Sequence, residues 1–282
     1  NDWLNLRNSS FDKYLKNEDK KEKNIDKKIF MNYTQGISTS RDAWNCNFSK
    51  EKLSENVSKS IKFYNDELSR FINTKTKISA KDFVDKDSRK ISWGRALYES
   101  IEKGKAINYD KNYLQISEYR PFTKLWTYRE KAYNSRLYQL DKIFPNAPIQ
   151  NRAISISGIG SSEFSCFIVN KIPNYDMISK AQHYPLFLYE NNNISQTTNQ
   201  GSLFKTEKNE KQNSITESSL NSIKLLYNKD IEFEDYFYYI YGVLHSEEYR
   251  EIYKNNILKE IIRIPSVKTY EKFLQLSNIG KK

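Results

Sequence analysis

A chain of 282 residues, 38% hydrophobic and 29% charged, is long enough for one large core or two modest ones and too apolar to be disordered. Its net charge of +11 points to a polyanionic partner, while the absence of a signal peptide and of any membrane-length apolar run gives the expectation of a soluble, cytoplasmic protein with no membrane partner. Cys46 and Cys166 lie too far apart in sequence for a disulfide framework or a cysteine-rich zinc site, and the isolated His183 and His245 read as partly buried side chains, not metal ligands. The chain opens Asn1-Asp2-Trp3 without a methionine and reads as a piece of a longer protein.

Residues 1–28 are polar, end in the charge run "KNEDKKEKNIDKK", and are expected to be a linker. "IFMNY" (29–33) reads as a short strand running into a Gly/Ser/Thr loop, "TQGISTSRDAW", that carries Arg41. Leu53, Val57, Ile61, Tyr64, Leu68 and Phe71 then recur at steps of four and three, which predicts a helix over 49–72 with Ser49 as its N-cap and Glu51 in its first turn. Residues 75–90 read as a loop. From 91 to 190 the pattern changes to short runs broken by Gly, Pro and Asn; "KAINY", "LWTY", "AISIS", "FSCFIVN" and "PLFLY" are expected to be strands of a mixed sheet. Residues 191–213 are poor in apolar side chains and read as a flexible linker or loop. Ser214-x-x-Glu217 has capping-box spacing and opens a helical end, in which Tyr249, Ile252, Tyr253, Ile257 and Ile261 share a face that stops at Pro265.

The charge is unevenly spread. Residues 89–152 hold six arginines, seven lysines and only six acids, whereas 214–263 hold two arginines, four lysines and nine acids. A lysine-rich proteome would explain the lysines but not why six of the eleven arginines fall in the middle. Arginine is the forked donor suited to phosphates and guanine edges, so the middle reads as a nucleic-acid face and the acidic end as packing support. Within it, "YRPFTKLWTY" (119–128) alternates so that Phe122, Lys124, Trp126 and Tyr128 share one side. The expectation is a core strand whose basic ends, Arg120 and Arg129, point outward toward phosphates.

Catalytic signatures are absent. "SGIGSS" (157–162) follows a strand-like run, but a nucleotide cradle would need a further glycine or a Lys-Ser/Thr and a helix behind it. It reads as a strand–loop–strand turn whose amides, with Ser161 and Ser162, could touch a DNA phosphate. Asn146-Ala147-Pro148 fails the Asn-Pro-Pro-aromatic tetrad of an adenine methyltransferase, and no acidic pair or Ser/His/Asp set stands out.

"GISTSRDAWNCNFS" (36–49), "KISWGRAL" (90–97), "YRPFTKLWTY", "NRAISISGIGSS" (151–162), "PLFLYE" (185–190) and "YFYYIYGVLHSEEYR" (236–250) with "IIRIP" follow one another in this order. Together they resemble the C-terminal part of the single-polypeptide restriction–modification enzymes of the type ISP class, from about Trp3 to Pro265. The resemblance implies a target recognition domain lying after a nuclease, a helicase-like translocase and an adenine N6-methyltransferase, so that residues 1–28 would lead from the methyltransferase domain. It implies double-stranded DNA and that upstream domain as partners. S-adenosylmethionine, ATP and Mg would belong to the upstream domains, and this chain would hold no cofactor and do no catalysis.

These readings give an α+β fold with a central mixed sheet, an N-terminal helix and a C-terminal helical bundle. The recognition core is expected over 29–190 and the helical part over 214–282. Candidate DNA-binding residues are Arg41 in its loop, Trp93 and Arg95 around Gly94, Arg120, Lys124, Arg129, Arg136 and Arg152 of the basic middle, and Ser161 and Ser162. Arg41 has the alternative of a surface pair with Asp42, and Arg95 that of a residue at a local helix start. The competing functional readings are a catalytic fragment of a methyltransferase or nuclease and an intramolecular protein-interaction module.

Overall fold

The computed structural model describes residues 7–74, 77–145, 149–197 and 203–282, with backbone alone for the described part of 191–209. The fold is α+β, and its contacts divide the chain into two compact units. One has two segments, Gln35–Leu140 and Lys171–Met177; the other has three, Asn1–Thr34, Asp141–Asn170 and Ile178–Lys282.

The two-segment unit is built on the helix Lys50–Thr74. Its Leu53, Val57, Ile61, Tyr64 and Leu68 form the buried stripe that the spacing predicts, and the Ser49 hydroxyl accepts the Lys52 amide at 3.0 Å. The stripe packs against Val84, Leu97, Ile101, Leu114, Tyr128 and Tyr133. Beside it stands a four-stranded mixed sheet in the order Cys46–Asn47, Thr123–Tyr128, Leu114–Arg120, Ile172–Pro173, antiparallel except for the last, parallel pair. "KAINY" is not one of its strands. The Asn65 side chain takes both the amide and the carbonyl of Ile107, and the Tyr64 hydroxyl donates to the Lys105 carbonyl, so the helix claims the groups a strand partner would need. The supposed loop over 75–90 contains a short helix, Ala80–Phe83, capped by Ser79.

The three-segment unit centres on an antiparallel sheet, Cys166–Val169, Ala153–Ile156, Gln182–Pro185, covered by the helix Phe233–His245. Residues 29–33 make one bridge instead of a strand: Phe30 pairs with Ile215 and its ring packs on Tyr184 and Phe237. The expected linker is folded in as well. Phe11 is wholly buried against Tyr253, and Leu15–Lys16 pairs antiparallel with Arg263–Ile264. Of the stretch 191–213, expected as a linker or loop, residues 191–197 and 203–213 belong to two paired strands, Phe187–Thr197 and Leu203–Asn213.

The helical end is present as Glu217–Tyr227, Phe233–His245, Glu247–Ile252, Lys254–Lys259 and Tyr270–Lys281. Thr216, not Ser214, is the first N-cap; the Ser214 hydroxyl instead donates to the Pro185 carbonyl. The single amphipathic face over 247–261 is split at Tyr253, whose ψ of 20° ends one helix and starts the next. The last two long helices cross at glycines, with Gly242 against Leu276 and Gly280 against Tyr238. No described helix is long and apolar enough to cross a membrane.

His183 lies wholly buried in the antiparallel sheet, its Nδ1 2.7 Å from the Ser155 hydroxyl and its Nε2 without a hydrogen-bond partner among the described residues. Burial pushes its pKa down to about 3, against about 6.5 in an unfolded chain. Between those values the unfolded state holds a proton that the folded state refuses. Stability is therefore full above pH 6.5 and falls as pH drops through the window, by at most about 1.4 kcal/mol per pH unit. Urea midpoints between pH 7 and pH 5 should fall less for His183→Gln than for the wild type. Parallel curves would show that other groups carry the acid sensitivity.

Candidate nucleic-acid interface

The hairpin Leu114–Arg120 and Thr123–Tyr128 pairs Leu114 with Tyr128 at its base and Arg120 with Thr123 at its tip, with a bulge at Tyr119. The base is covered on both sides. Tyr128 and Trp126 pack on the helix core, while Thr127 meets the Ser117 hydroxyl at 2.6 Å and, with Leu125, is buried on the opposite side. The tip is not covered. Phe122 is 92% exposed, and the exposed Lys124 ammonium sits 3.6 Å from the Glu118 carboxylate. The shared face of Phe122, Trp126 and Tyr128 therefore does not exist as one surface: Phe122 belongs to the turn, outside the strand's alternation.

Three other loops of the same unit are tied to this tip. Tyr119 donates to the Asp42 carboxylate at 3.0 Å, and Thr39 donates to the other oxygen. Arg120 stacks over the Tyr119 ring at 4.1 Å and donates to the Tyr119 carbonyl and to Asn174 Oδ1, at 2.7 and 3.2 Å. Ile37 and Tyr175 exchange backbone bonds with the 173–175 loop and residue 37, respectively, and Ser38 pairs with Arg136. Tyr138 stacks on Tyr175, with ring centroids 6.0 Å apart. Ser40, Phe122 and Tyr138 all adopt positive φ, of 56°, 62° and 48°. Only five described non-glycine residues do so, so backbone strain is concentrated in these loops. A groove of about 440 Å³, lined by 37–43, Ser92 and 174–176, opens among them.

The candidate residues separate clearly. Arg120, Lys124 and Arg136 belong to this cluster; the exposed Arg136 guanidinium lies 6.0 Å from the Tyr138 ring. Arg95 starts the helix Arg95–Glu102, is exposed, and pairs with Glu99 at 2.7 Å. Arg41 is not a mobile reader and makes no surface pair. It is 3% exposed, donates from Nε to the Ser92 carbonyl at 3.1 Å and from Nη1 to the Tyr133 carbonyl, and burial pushes its pKa down. Arg129 does not point outward either: it is 3% exposed and donates to Gln115 Oε1 at 3.1 Å. Trp93 is a half-buried ring packed against the helix core, stacked on Tyr98 and donating to the Asp85 carbonyl.

Arg152, Ser161 and Ser162 belong to the three-segment unit. Arg152 is exposed and donates to the Tyr238 hydroxyl. The 157–162 turn joins two strands of the sheet as expected, and its Ser157, Gly158, Gly160 and Ser161 amides are bonded within the fold. Gly158 and Gly160 donate to the Ser179 and Leu258 carbonyls at 3.0 and 2.8 Å, and the buried Ser161 hydroxyl donates inward to the carbonyls of Gly158 and Ser179. Ser162 remains exposed. Asn146-Ala147-Pro148 lies outside the described residues.

Sequence reasoning missed Asn174, which fixes Arg120, and Asp42, which fixes Tyr119. Both act across long chain separations, and no local pattern signals them. Burial pushes the Cys46 thiol up to about 12 and the Cys166 thiol upward as well, so neither is a poised nucleophile. Among the described residues no group of three or more His, Cys, Asp or Glu is placed to hold a metal ion.

Residues 28–282 match the family described as the Type ISP C-terminal specificity domain. Three solved structures resemble the chain over 99% of its length. A nuclease-deletion mutant of the Type ISP restriction–modification enzyme LlaGI, in complex with a DNA substrate mimic, has a TM-score of 0.79 at 31% identity. The ATP-dependent Type ISP enzyme LlaBIII bound to DNA has 0.81 at 34%, and a DrdV–DNA complex has 0.79 at 27%. The chain spans 24%, 17% and 26% of those chains, about a quarter of their length or less. A comparison with curated proteins finds no match.

Proposed function

The chain belongs to the Type ISP C-terminal specificity domains, and from that membership we propose that it is the target recognition domain of a restriction–modification enzyme, reading a short sequence in duplex DNA. The observation that carries the interface is the loop cluster of the two-segment unit. There a bulged hairpin tip, held by Asp42 and Asn174, presents Arg120 and Lys124 beside loops that carry Arg136, Tyr138 and Tyr175. Fixed cations on short loops suit a phosphate backbone, and the hydroxyl- and amide-rich groove floor of Ser38, Ser40 and Asn174 offers donors and acceptors of the kind that read base edges.

In this reading the domain does no chemistry of its own. An upstream methyltransferase in the same polypeptide, using S-adenosylmethionine, extrudes an adenine from the duplex that this domain positions. ATP and Mg serve the upstream translocase and nuclease, and the whole enzyme works on DNA in the cytoplasm. The helical end, with its acidic excess, is the scaffold of the three-segment unit and stays off the DNA.

Binding should weaken linearly as log affinity against log salt, with a slope of roughly −0.9 per phosphate contacted. Arg120→Ala and Arg136→Ala should each lower affinity for all duplexes alike and make the slope shallower by about one. Fluorescence anisotropy with a labelled duplex across 50–300 mM salt reads both quantities. A salt-independent affinity, or two mutants indistinguishable from wild type, would remove the electrostatic basis of the interface.

A further inference from the structure

Two carboxylates line the groove of the loop cluster, those of Asp42 and Asp176. Asp42 is occupied within the fold, since Tyr119 and Thr39 donate to its two oxygens. Asp176 is exposed, and its carboxylate has no hydrogen-bond or ion-pair partner among the described residues. The turn that carries it is closed by Asn174 instead, which takes the Asp176 amide on Oδ1 at 2.9 Å and the Met177 amide on its carbonyl at 3.0 Å. An unpaired carboxylate in the same cluster as Arg120 and Arg136 repels phosphates and so works against a polyanion-binding surface.

Its position is nevertheless fixed. The same Asn174 Oδ1 accepts Arg120 Nη1 at 3.2 Å, the Tyr175 amide donates to the Ile37 carbonyl at 2.8 Å, and the Tyr175 ring stacks on Tyr138. One amide oxygen thus sets the spacing between a cation suited to a phosphate and a carboxylate. A carboxylate offers acceptors only, so on DNA it needs a donor. The cluster is built around a two-stranded ribbon, an element that the wide major groove admits. There the donors are the exocyclic amino groups of cytosine and adenine, while guanine and thymine present acceptors. Adenine sets its N7 acceptor beside the amino group, which repels a carboxylate, whereas the cytosine edge has no acceptor. Resting on the DNA-binding reading above, we infer that Asp176 reads a cytosine in the recognised sequence by accepting a hydrogen of its N4 amino group. Guanine or thymine at that position leaves the carboxylate against an acceptor, so the repulsion serves selectivity.

The test selects duplexes from a random pool with this chain at low salt, and repeats the selection with Asp176→Asn and Asp176→Ala. The unmodified chain should enrich cytosine at one position that both variants change. Asp176→Ala should accept all four bases there. Asp176→Asn should turn the preference to adenine, whose N6 and N7 an amide takes together. A 2-pyrimidinone in place of that cytosine lacks the amino group. It should weaken binding by the unmodified chain roughly tenfold or more, and leave binding by Asp176→Ala unchanged. If Asp176→Ala keeps the cytosine, or binds every duplex more tightly by one common factor, the carboxylate reads nothing and the DNA-binding reading stands. If the unmodified chain fails to bind duplex even at low salt, both fall together.

Discussion

Gly242→Ala and Gly280→Ala should each destabilise the fold by about 3 kcal/mol or more, the upper end of what overpacking costs. An ideal Cβ on Gly242 would lie 2.2 Å from the Leu276 carbonyl oxygen, and one on Gly280 would lie 2.1 Å from that of Tyr238. The obstacle is backbone in both cases, so no side chain can rotate away. The helices Phe233–His245 and Tyr270–Lys281 would have to separate, loosening the Tyr239–Phe273 ring stack at 4.6 Å and the Ser277 bond to the Asp235 carbonyl. Alanine's better helix propensity, about 1 kcal/mol per site, works in the opposite direction and is too small to compensate. Equilibrium urea unfolding gives the difference directly. Wild-type stability or better in either variant would mean that the helices do not cross this closely.

Arg41→Ala should cost about 3–5 kcal/mol, because it leaves the buried carbonyls of Ser92 and Tyr133 without donors and opens a cavity beneath the Tyr133 ring. Arg41→Lys should recover only part of this, since an ammonium on a linear stem cannot reach both carbonyls as the planar fork does. The molecules that remain folded should keep their sequence preference. From sequence alone, with Arg41 taken as a loop residue that reaches DNA, a different expectation arises, that Arg41→Ala relaxes sequence preference at one position. Thermal unfolding together with binding to cognate and altered duplexes separates the two. A stable variant with a broadened preference would restore Arg41 as a reader of bases.

What could be read in the sequence follows from the range of the interactions involved. The helix Lys50–Thr74 was legible because its stripe repeats every three or four residues and its cap lies three residues from the amide it binds. The strands Ala153–Ile156 and Cys166–Val169 were legible because apolar runs bracket a glycine turn. The site was legible only as chemistry, as arginines and aromatics concentrated in the middle. Whether an arginine lies inside or outside was not: Arg41 and Arg129 are buried by residues 50 and more positions away or across a hairpin, and Arg120 is aimed by Asn174. The alternation over 122–128 failed at its first residue, because the turn begins there and a turn residue follows neither face. "KAINY" failed for a related reason, since side chains of a distant helix turn occupied its backbone.

The interleaving of the two units bears on how the chain can be made. The segment 35–140 carries the helix Lys50–Thr74 and three of the four strands of its unit's sheet, and can begin to close upon itself as soon as it has been synthesised. The other unit cannot. Asp12 bonds to Arg263 across 251 residues, and Leu15–Lys16 has no strand partner until Arg263–Ile264 exists. During synthesis Phe11, Ile29 and Phe30 therefore wait uncovered until their partners among residues 184–264 have been made, and the burial of Phe11 against Tyr253 closes a long loop. The slow step in folding is therefore expected in the three-segment unit, not in the two-segment one. A ribosome stalled before residue 263 would leave the two-segment unit formed while the other unit is still open and prone to aggregate.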